Sequence, residues 1–222
     1  MKRAAGILGL VLAFAVSGGA QTRMETEPVK ELVPTNTLGT CRYRPTTGED
    51  PFFQKLAAAE RSTGSLLEDY DINSRQGYVS WFGIVRGIAE IEPGLWRLLI
   101  EHKFFDGMTD CHIMLVDIGG SGDYCADIMS PAMTIPALAL VRVYGTVSGR
   151  AAGRPIVAAE FVRTWPWQTF TFADLAKSDR TETRWKRLRA ITGRGIYRPW
   201  PDEGYYRAVL GDPKDFGSGL KR

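Results

Sequence analysis

Segments in which apolar and polar residues alternate dominate the middle of the chain and constrain its fold more than any other feature. The longest reads YVSWFGIVRGIAEI, where Val79, Trp81 and Val85 alternate with side chains of the opposite face. A period of two predicts a β-strand with one buried face. Gly83 and Gly87 lie inside this strand, and internal glycines predict a bulge or a sharp bend.

Four more strands are predicted after the first. The turn Glu92-Pro93-Gly94 leads into the second strand, and the GGSGD sequence that ends the third predicts a hairpin turn. The four segments are LWRLLIEHK (95–103), HIMLVDI (112–118), LALVRVYGTVSG (138–149) and RPIVAAEFVRTW (154–165).

Together the strands predict a mainly β protein, a five-stranded OB-like barrel with flanking short helices. Closing the sheet into a barrel removes its exposed edges. The link between the third and fourth strands contains Pro131 and Pro136, which leave room for one helical turn at most. A small β-sandwich is the alternative, although five strands are few for that fold.

The barrel is flanked by regions of different composition. Asp50-Pro51 predicts a helix start with Asp50 as the N-cap, and Gly64 predicts the end of that helix. The predicted regions are a signal peptide (1–20), a linker with short N-terminal helices (21–76), the OB-like barrel (77–172), and a basic helix with an aromatic C-terminal tail (173–222).

The first twenty residues, MKRAAGILGLVLAFAVSGGA, indicate export. A basic start, an apolar run over residues 4–16 and a small-residue end predict a signal peptide cleaved after Ala20. The run is shorter than the roughly 20 residues that a membrane span needs, and an uncleaved anchor is the alternative. We therefore expect a secreted or periplasmic protein with no transmembrane segment after signal removal.

The charge balance bears on the partners. Lys2 and Arg3 leave with the signal, so 26 of the 28 basic residues face 25 acidic ones. A near-neutral chain has little electrostatic attraction to nucleic acid, whose binding depends on neutralising phosphates. Nucleic acid is therefore an unlikely partner.

Three cysteines in an oxidising compartment predict one disulfide and one remaining thiol. Cys111 and Cys125 are the nearest pair and form the candidate disulfide. If a hairpin centres on residues 119–122, however, Cys125 faces about Val116, and closing the bond requires a wider loop. The other pairings stay open.

The segment EHKFFDGMTDCH (101–112) concentrates possible metal ligands. His102, Asp106 and His112 are the candidates, because imidazoles with a carboxylate suit zinc. Their spacing matches no established ligand motif, and an ordinary polar loop explains the residues equally well. The metal hypothesis requires His102 and His112 to face each other across paired strands. No cofactor is otherwise indicated.

Outward positions of the predicted strands suggest a ligand-binding face. Aromatic side chains interleaved with arginines are how OB surfaces stack bases or sugars and hold anions. The alternative is that the N-terminal helix or the C-terminal tail covers these side chains. The candidate ligand-binding residues are Phe82, Arg86, Arg97, Arg142 and Tyr144.

Three segments, VSWFGIVRGI, LVRVYGTVSG and AAEFVRTWPW, resemble Slp-type envelope proteins. The resemblance covers roughly residues 78–167 and implies an exported bacterial protein with an OB-like fold and no known enzymatic role. Members of that family are usually lipid-anchored at the outer membrane. This chain has no cysteine at the end of its apolar run, so the resemblance does not extend to a lipid anchor.

The function expected from these features is an exported, non-enzymatic binding or structural module of the cell envelope. Its partner is expected to be an envelope protein, an oligosaccharide or an anionic surface. One alternative is a secreted metal-dependent hydrolase that uses the His/Asp cluster at 102–112. The other is an OB-type binder of single-stranded nucleic acid or oligosaccharide.

Overall fold

A computed structural model describes residues 20–28, 41–63, 72–105, 108–109, 114–117, 119–166 and 169–173. Nearly all of the predicted signal peptide and all of the predicted basic helix lie outside these ranges. The described elements are β1 (Arg23–Thr26), β2 (Cys41–Arg42), α1 (Asp50–Thr63), β3 (Gly77–Glu92), β4 (Leu95–Lys103), β5 (Met108–Thr109), β6 (Met114–Asp117), β7 (Asp123–Met129), β8 (Leu140–Ala151), β9 (Arg154–Trp165) and β10 (Phe170–Ala173).

Five of the strands close into a barrel. The order around its wall is β3, β4, β7, β9, β8 and back to β3. Strands β7 and β9 run parallel, and the other neighbouring pairs are antiparallel. The prediction of a mainly β fold with a closed five-stranded, OB-like barrel is confirmed, and the β-sandwich alternative is not.

Four barrel strands match the predicted segments, whereas the prediction that residues 112–118 form the third barrel strand is wrong. The third barrel strand is β7, whose side chains alternate between the interior, as at Tyr124 and Ile128, and the outer side, as at Asp127. The segment predicted for this position contributes β6, which pairs in parallel with β10. Met114 and Val116 of β6 are buried on the outside of the barrel wall, in a cluster with Phe82 and Trp165. Their apolar character therefore reflects packing on the outer wall and not in the barrel interior.

The barrel interior is filled by the side chains expected to point inward. Val79, Trp81 and Val85 of β3 join Val141 and Val143 of β8 in one buried cluster. Burying such side chains is the main favourable term in folding, at about 1.5–3 kcal/mol for each large one. The predicted alternation on these two strands is therefore confirmed.

Two separate layers cover parts of the outer wall. Helix α1 packs Leu56 against Tyr144 and Phe161, which face outward from β8 and β9. Strands β6 and β10 cover a second patch that includes Phe82 and Trp165. Within the described residues, no helix combines the length and apolar character that a membrane crossing requires.

The first described strand lies within the region predicted as a linker. Strand β1 lies parallel to β9, with Arg23 opposite Phe161 and Thr26 opposite Thr164. Just before it, Thr22 donates from its backbone nitrogen to the Met129 carbonyl at 2.9 Å and from Oγ1 to the Ala159 carbonyl at 2.7 Å. Strand β7 pairs with β9 over only Cys125–Asp127, so β1 continues the pairing along β9.

Close approach between neighbouring strands explains one of the glycines in the wall. A Cβ at Gly145 would lie 2.1 Å from the Ala158 carbonyl oxygen, where the register between β8 and β9 shifts. Gly149 on the same strand has open space around the equivalent position. The glycine at 145 is therefore required by contact with backbone, and the one at 149 is not.

We predict that Gly145→Ala lowers the free energy of unfolding by about 1–3 kcal/mol, because neither backbone can move without distorting the barrel. Gly149→Ala should change it by no more than about 0.5 kcal/mol. Urea unfolding followed by circular dichroism measures both. Equal effects from the two variants would show that the crowding at Gly145 does not matter.

Candidate functional site

The five candidate ligand-binding residues do not form one open face. Phe82, Arg142 and Tyr144 are only 2%, 1% and 0% exposed. Helix α1 covers Arg142 and Tyr144, as the alternative of coverage by the N-terminal helix expects, whereas Phe82 lies in the patch under β6 and β10. Arg86 and Arg97 lie elsewhere on the wall, and ligand binding there stays a prediction.

The guanidinium group of Arg142 lies among aromatic rings. Its Nε donates to Ser80 Oγ at 2.7 Å. Cation–π attraction to several rings helps to stabilise a charge that is removed from water. The distances from Arg142 Cζ to the ring centres are 4.7 Å for Tyr43, 5.4 Å for Phe53, 4.8 Å for Phe82 and 4.7 Å for Tyr144.

A fully buried carboxylate, that of Glu49, lies at the centre of this covered region. It accepts hydrogen bonds from Arg163 Nη1 at 2.7 Å and from Tyr144 Oη at 2.6 Å. Tyr43 Oη donates a third hydrogen bond, and Arg142 Nη1 lies 3.7 Å away. The carboxylate of Glu49 is thus bonded to donors from both the barrel wall and the covering segment.

Arg163 is the second cation of the cluster. Its Nη2 bonds to Glu27 Oε2 at 3.0 Å, and its Cζ lies 4.7 Å from the Trp165 ring centre. Burial alone would lower the pKa of Arg163, but Tyr43, Glu49 and Glu27 raise it on balance. The positive charges of Arg142 and Arg163 are therefore balanced by the negative charges of Glu27 and Glu49. The buried Nε of Arg163 has no hydrogen-bond partner in the part of the chain that is described.

A local motif places Glu49 at the start of α1. Thr46 Oγ1 accepts from the Glu49 backbone nitrogen at 3.1 Å, and Glu49 Oε2 accepts from the Thr46 backbone nitrogen at 3.3 Å. This reciprocal pair is a capping box, which the sequence signature Thr-x-x-Glu predicts. The predicted N-cap is Asp50, whereas the reciprocal bonds are made by Thr46 and Glu49, which lie earlier in the chain.

The cluster is suited to holding a carboxylate rather than to transferring protons. Burial raises the pKa of the Tyr43 and Tyr144 hydroxyl groups, with further opposing effects from Arg142 and Glu49. Both hydroxyl groups therefore remain neutral hydrogen-bond donors at physiological pH. The geometry supports recognition of an anion by two guanidinium groups and two hydroxyl groups.

His102, the first metal candidate, is bonded within the fold. Its Nδ1 accepts a hydrogen bond from the Ser121 backbone nitrogen at 3.1 Å, with Ser121 Oγ at 3.2 Å. Burial, with a smaller contribution from Lys103, lowers the pKa of His102 to about 3. The imidazole is therefore neutral at physiological pH.

The other metal and disulfide candidates cannot be placed. Asp106, His112 and Cys111 lie outside the described residues, so a metal site there stays a prediction. No group of three or more histidine, cysteine, aspartate or glutamate side chains among the described residues is placed to hold a metal ion. Cys125 is buried, which raises the pKa of its thiol, and its pairing with Cys111 stays a prediction.

Arg97 and Arg86 lie in ion pairs on the other side of the barrel. Arg97 makes a two-pronged contact with Asp127, with Nε 2.6 Å from Oδ1 and Nη2 2.7 Å from Oδ2. Hydrogen bonding to Asp127 raises the pKa of Arg97. Arg86 pairs with Glu101, which also accepts from Lys103 Nζ at 2.8 Å.

Comparison with known proteins adds no family assignment. No family model matches the chain, and a search of curated proteins finds no relative. The likeness to Slp-type envelope proteins therefore rests on the three strand segments alone.

We predict that His102 makes the fold sensitive to mild acid. The unfolded imidazole, with a pKa near 6.5, takes up a proton that the buried one, with a pKa near 3, does not. The unfolded state then binds more protons, so the free energy of unfolding should fall by about 1.4 kcal/mol between about pH 7.5 and 5.5.

Urea titrations at the two pH values measure this difference. His102→Gln should remove most of it. An unchanged pH dependence in His102→Gln would contradict the assignment to His102.

Proposed function

We propose that the protein is an exported, non-enzymatic binding module of the cell envelope that holds a protein partner on the outer side of β4 and β7. The observation that carries this proposal is the Arg97–Asp127 pair, which lies across these two strands. They are the second and third strands of the barrel, and OB-folds commonly bind ligands on that face. Export is proposed from the N-terminal sequence.

We name this region the charged face. It carries both basic and acidic side chains, which are joined in ion pairs. These surround a small apolar strip formed by Leu99, Cys125 and Ile156. The Arg97 and Asp127 side chains are 16% and 19% exposed, so they are partly accessible. The charged residues of the face are Arg86, Arg97, Glu101, Asp123, Asp127 and Arg154.

The loops beside this face favour a protein partner. Pro93-Gly94 joins β3 to β4, and Ala152-Gly153 joins β8 to β9. In OB-folds, the corresponding loops help to bind oligonucleotides and oligosaccharides. Turns of this length do not extend over the face, and charges of both signs are better matched by a protein surface than by a polyanion.

The placement of the acid–base side chains also supports a non-enzymatic role. Glu49 and His102 are both buried and engaged in bonds that hold the chain together. General acid–base catalysis needs a group within hydrogen-bond reach of a substrate. These two side chains instead stabilise the cover of the barrel and the end of β4.

We predict that exchanging the charges of the central pair weakens binding to the envelope. In the double variant Arg97→Asp with Asp127→Arg, an ion pair is retained but its direction is reversed. Binding to washed bacterial envelope fragments should fall by about tenfold or more, since like charges then face the partner. Co-sedimentation of the purified mature protein measures the affinity.

The matched control is the same exchange at the exposed pair Lys55–Glu160, which joins α1 to β9. It should leave binding unchanged. Protease treatment of the fragments should abolish binding, and binding that survives it would favour an oligosaccharide or lipid surface instead. Stoichiometric zinc in the purified protein, lost in His102→Ala, would favour the metal-dependent hydrolase.

A further inference from the structure

We infer that the outer wall of β8 and β9 is a carboxylate-binding site that Glu49 occupies from within the same chain, and that a free carboxylate of acetate size can bind there in its place. This site is on a different part of the barrel from the charged face. The inference does not depend on the proposed function.

The barrel wall itself creates the need for an anion. Arg142 on β8 and Arg163 on β9 are register partners. Side chains directly opposite each other on antiparallel strands lie about 5 Å apart at Cβ, and like charges in such a pair repel. Because Arg142 is 1% exposed and Arg163 8% exposed, solvent screens this repulsion poorly. A negative group between them is therefore required when the wall is covered.

Both cationic groups around Glu49 belong to the wall, and the hydrogen-bond donors come equally from the wall and from the segment that carries Glu49. Tyr144 and Arg163 donate directly to the carboxylate, and Arg142 lies beside it. The covering segment contributes Tyr43 and the Thr46 backbone nitrogen. A carboxylate without the backbone of Glu49 would thus keep the wall contacts.

Arg163 also has a donor that Glu49 does not use. Its Nη1 bonds to Glu49 and its Nη2 to Glu27, while the buried Nε is without a hydrogen-bond partner among the described residues. In the planar guanidinium group Nε–H lies on the same side as Nη2, so this donor faces the side of Arg163 that Glu27 occupies. The wall donors that a free carboxylate takes over from Glu49 are therefore Arg163 Nη1 and Tyr144 Oη.

The size of the carboxylate that can replace Glu49 follows from the part of the Glu49 side chain that an alanine substitution removes. Replacing Glu49 with alanine keeps Cβ and removes Cγ with the carboxylate, a fragment that corresponds to acetate. The vacancy in Glu49→Ala has charged and hydroxyl donors around it, so neutral acetamide should fill it less well. Glu49→Gln removes the charge but leaves no room for acetate.

The experiment measures thermal unfolding of the full mature chain at pH 7.5 in rising sodium acetate and in sodium chloride of equal ionic strength. Both Glu49 variants should be destabilised by about a hundredfold or more in the unfolding equilibrium, since removing one partner leaves buried charges uncompensated. Acetate should stabilise Glu49→Ala in a saturable way that chloride and acetamide do not reproduce. Neither wild type nor Glu49→Gln should respond.

A matched control is Glu160→Ala, which removes a carboxylate from an exposed ion pair and should show no acetate-specific effect. If Glu49→Ala does not fold in chloride, it should regain its native near-ultraviolet circular dichroism on refolding into acetate. An identical response of Glu49→Ala to acetate and chloride, or refolding in neither, would overturn the inference.

Discussion

Two arginines that face each other across neighbouring strands determine how one side of this barrel is built. Arg142 and Arg163 are register partners on β8 and β9, and their charges require an anion once water is excluded. Glu49 supplies it from the start of α1, and Glu27 supplies a second carboxylate just after β1. The covering helix and the first strand are therefore both connected to the barrel through the same guanidinium group.

Such a network adds little net stability by itself, although removing one of its members is costly. Burying charges is costly, and the attraction between them offsets that cost only when the remaining donors and acceptors are bonded. Here the tyrosine hydroxyl groups and the aromatic rings around Arg142 provide that compensation. The patch under β6 and β10 adjoins this network, since Phe82 and Trp165 of that patch lie under the Arg142 and Arg163 guanidinium groups. The two covers of one barrel therefore meet at the same pair of arginines.

The barrel could be predicted because its inner face alternates strictly with its outer face. Val79, Trp81 and Val143 occupy the interior as their spacing indicates. The third strand could not be assigned in this way, because Met114 and Val116 are buried by an outer layer instead of by the barrel interior. Local periodicity reports that a side chain is buried and does not report which layer buries it.

The candidate site was only partly predictable for a related reason. Phe82, Arg142 and Tyr144 were correctly placed on the outer wall, but a position outside the barrel is not necessarily a position outside the protein. The burial of Arg142 and Tyr144 depends on α1, whose Thr46-x-x-Glu49 signal is readable in the sequence, and that of Phe82 depends on β6 and β10. Arg163 could not be predicted as part of the site, because nothing in its own strand segment indicates that a carboxylate from the start of a distant helix lies against it.

Non-local pairing at β1 also has a consequence for the order of events in folding. Thr22 is bonded to Ala159, 137 positions later in the chain, and β1 pairs with the last strand of the barrel. Contacts between such distant segments form late, since the intervening chain has to be ordered before they contribute. Strand β1 is synthesised early, but it can pair only after β9 has been ordered. Its incorporation marks the completion of this wall and not its beginning.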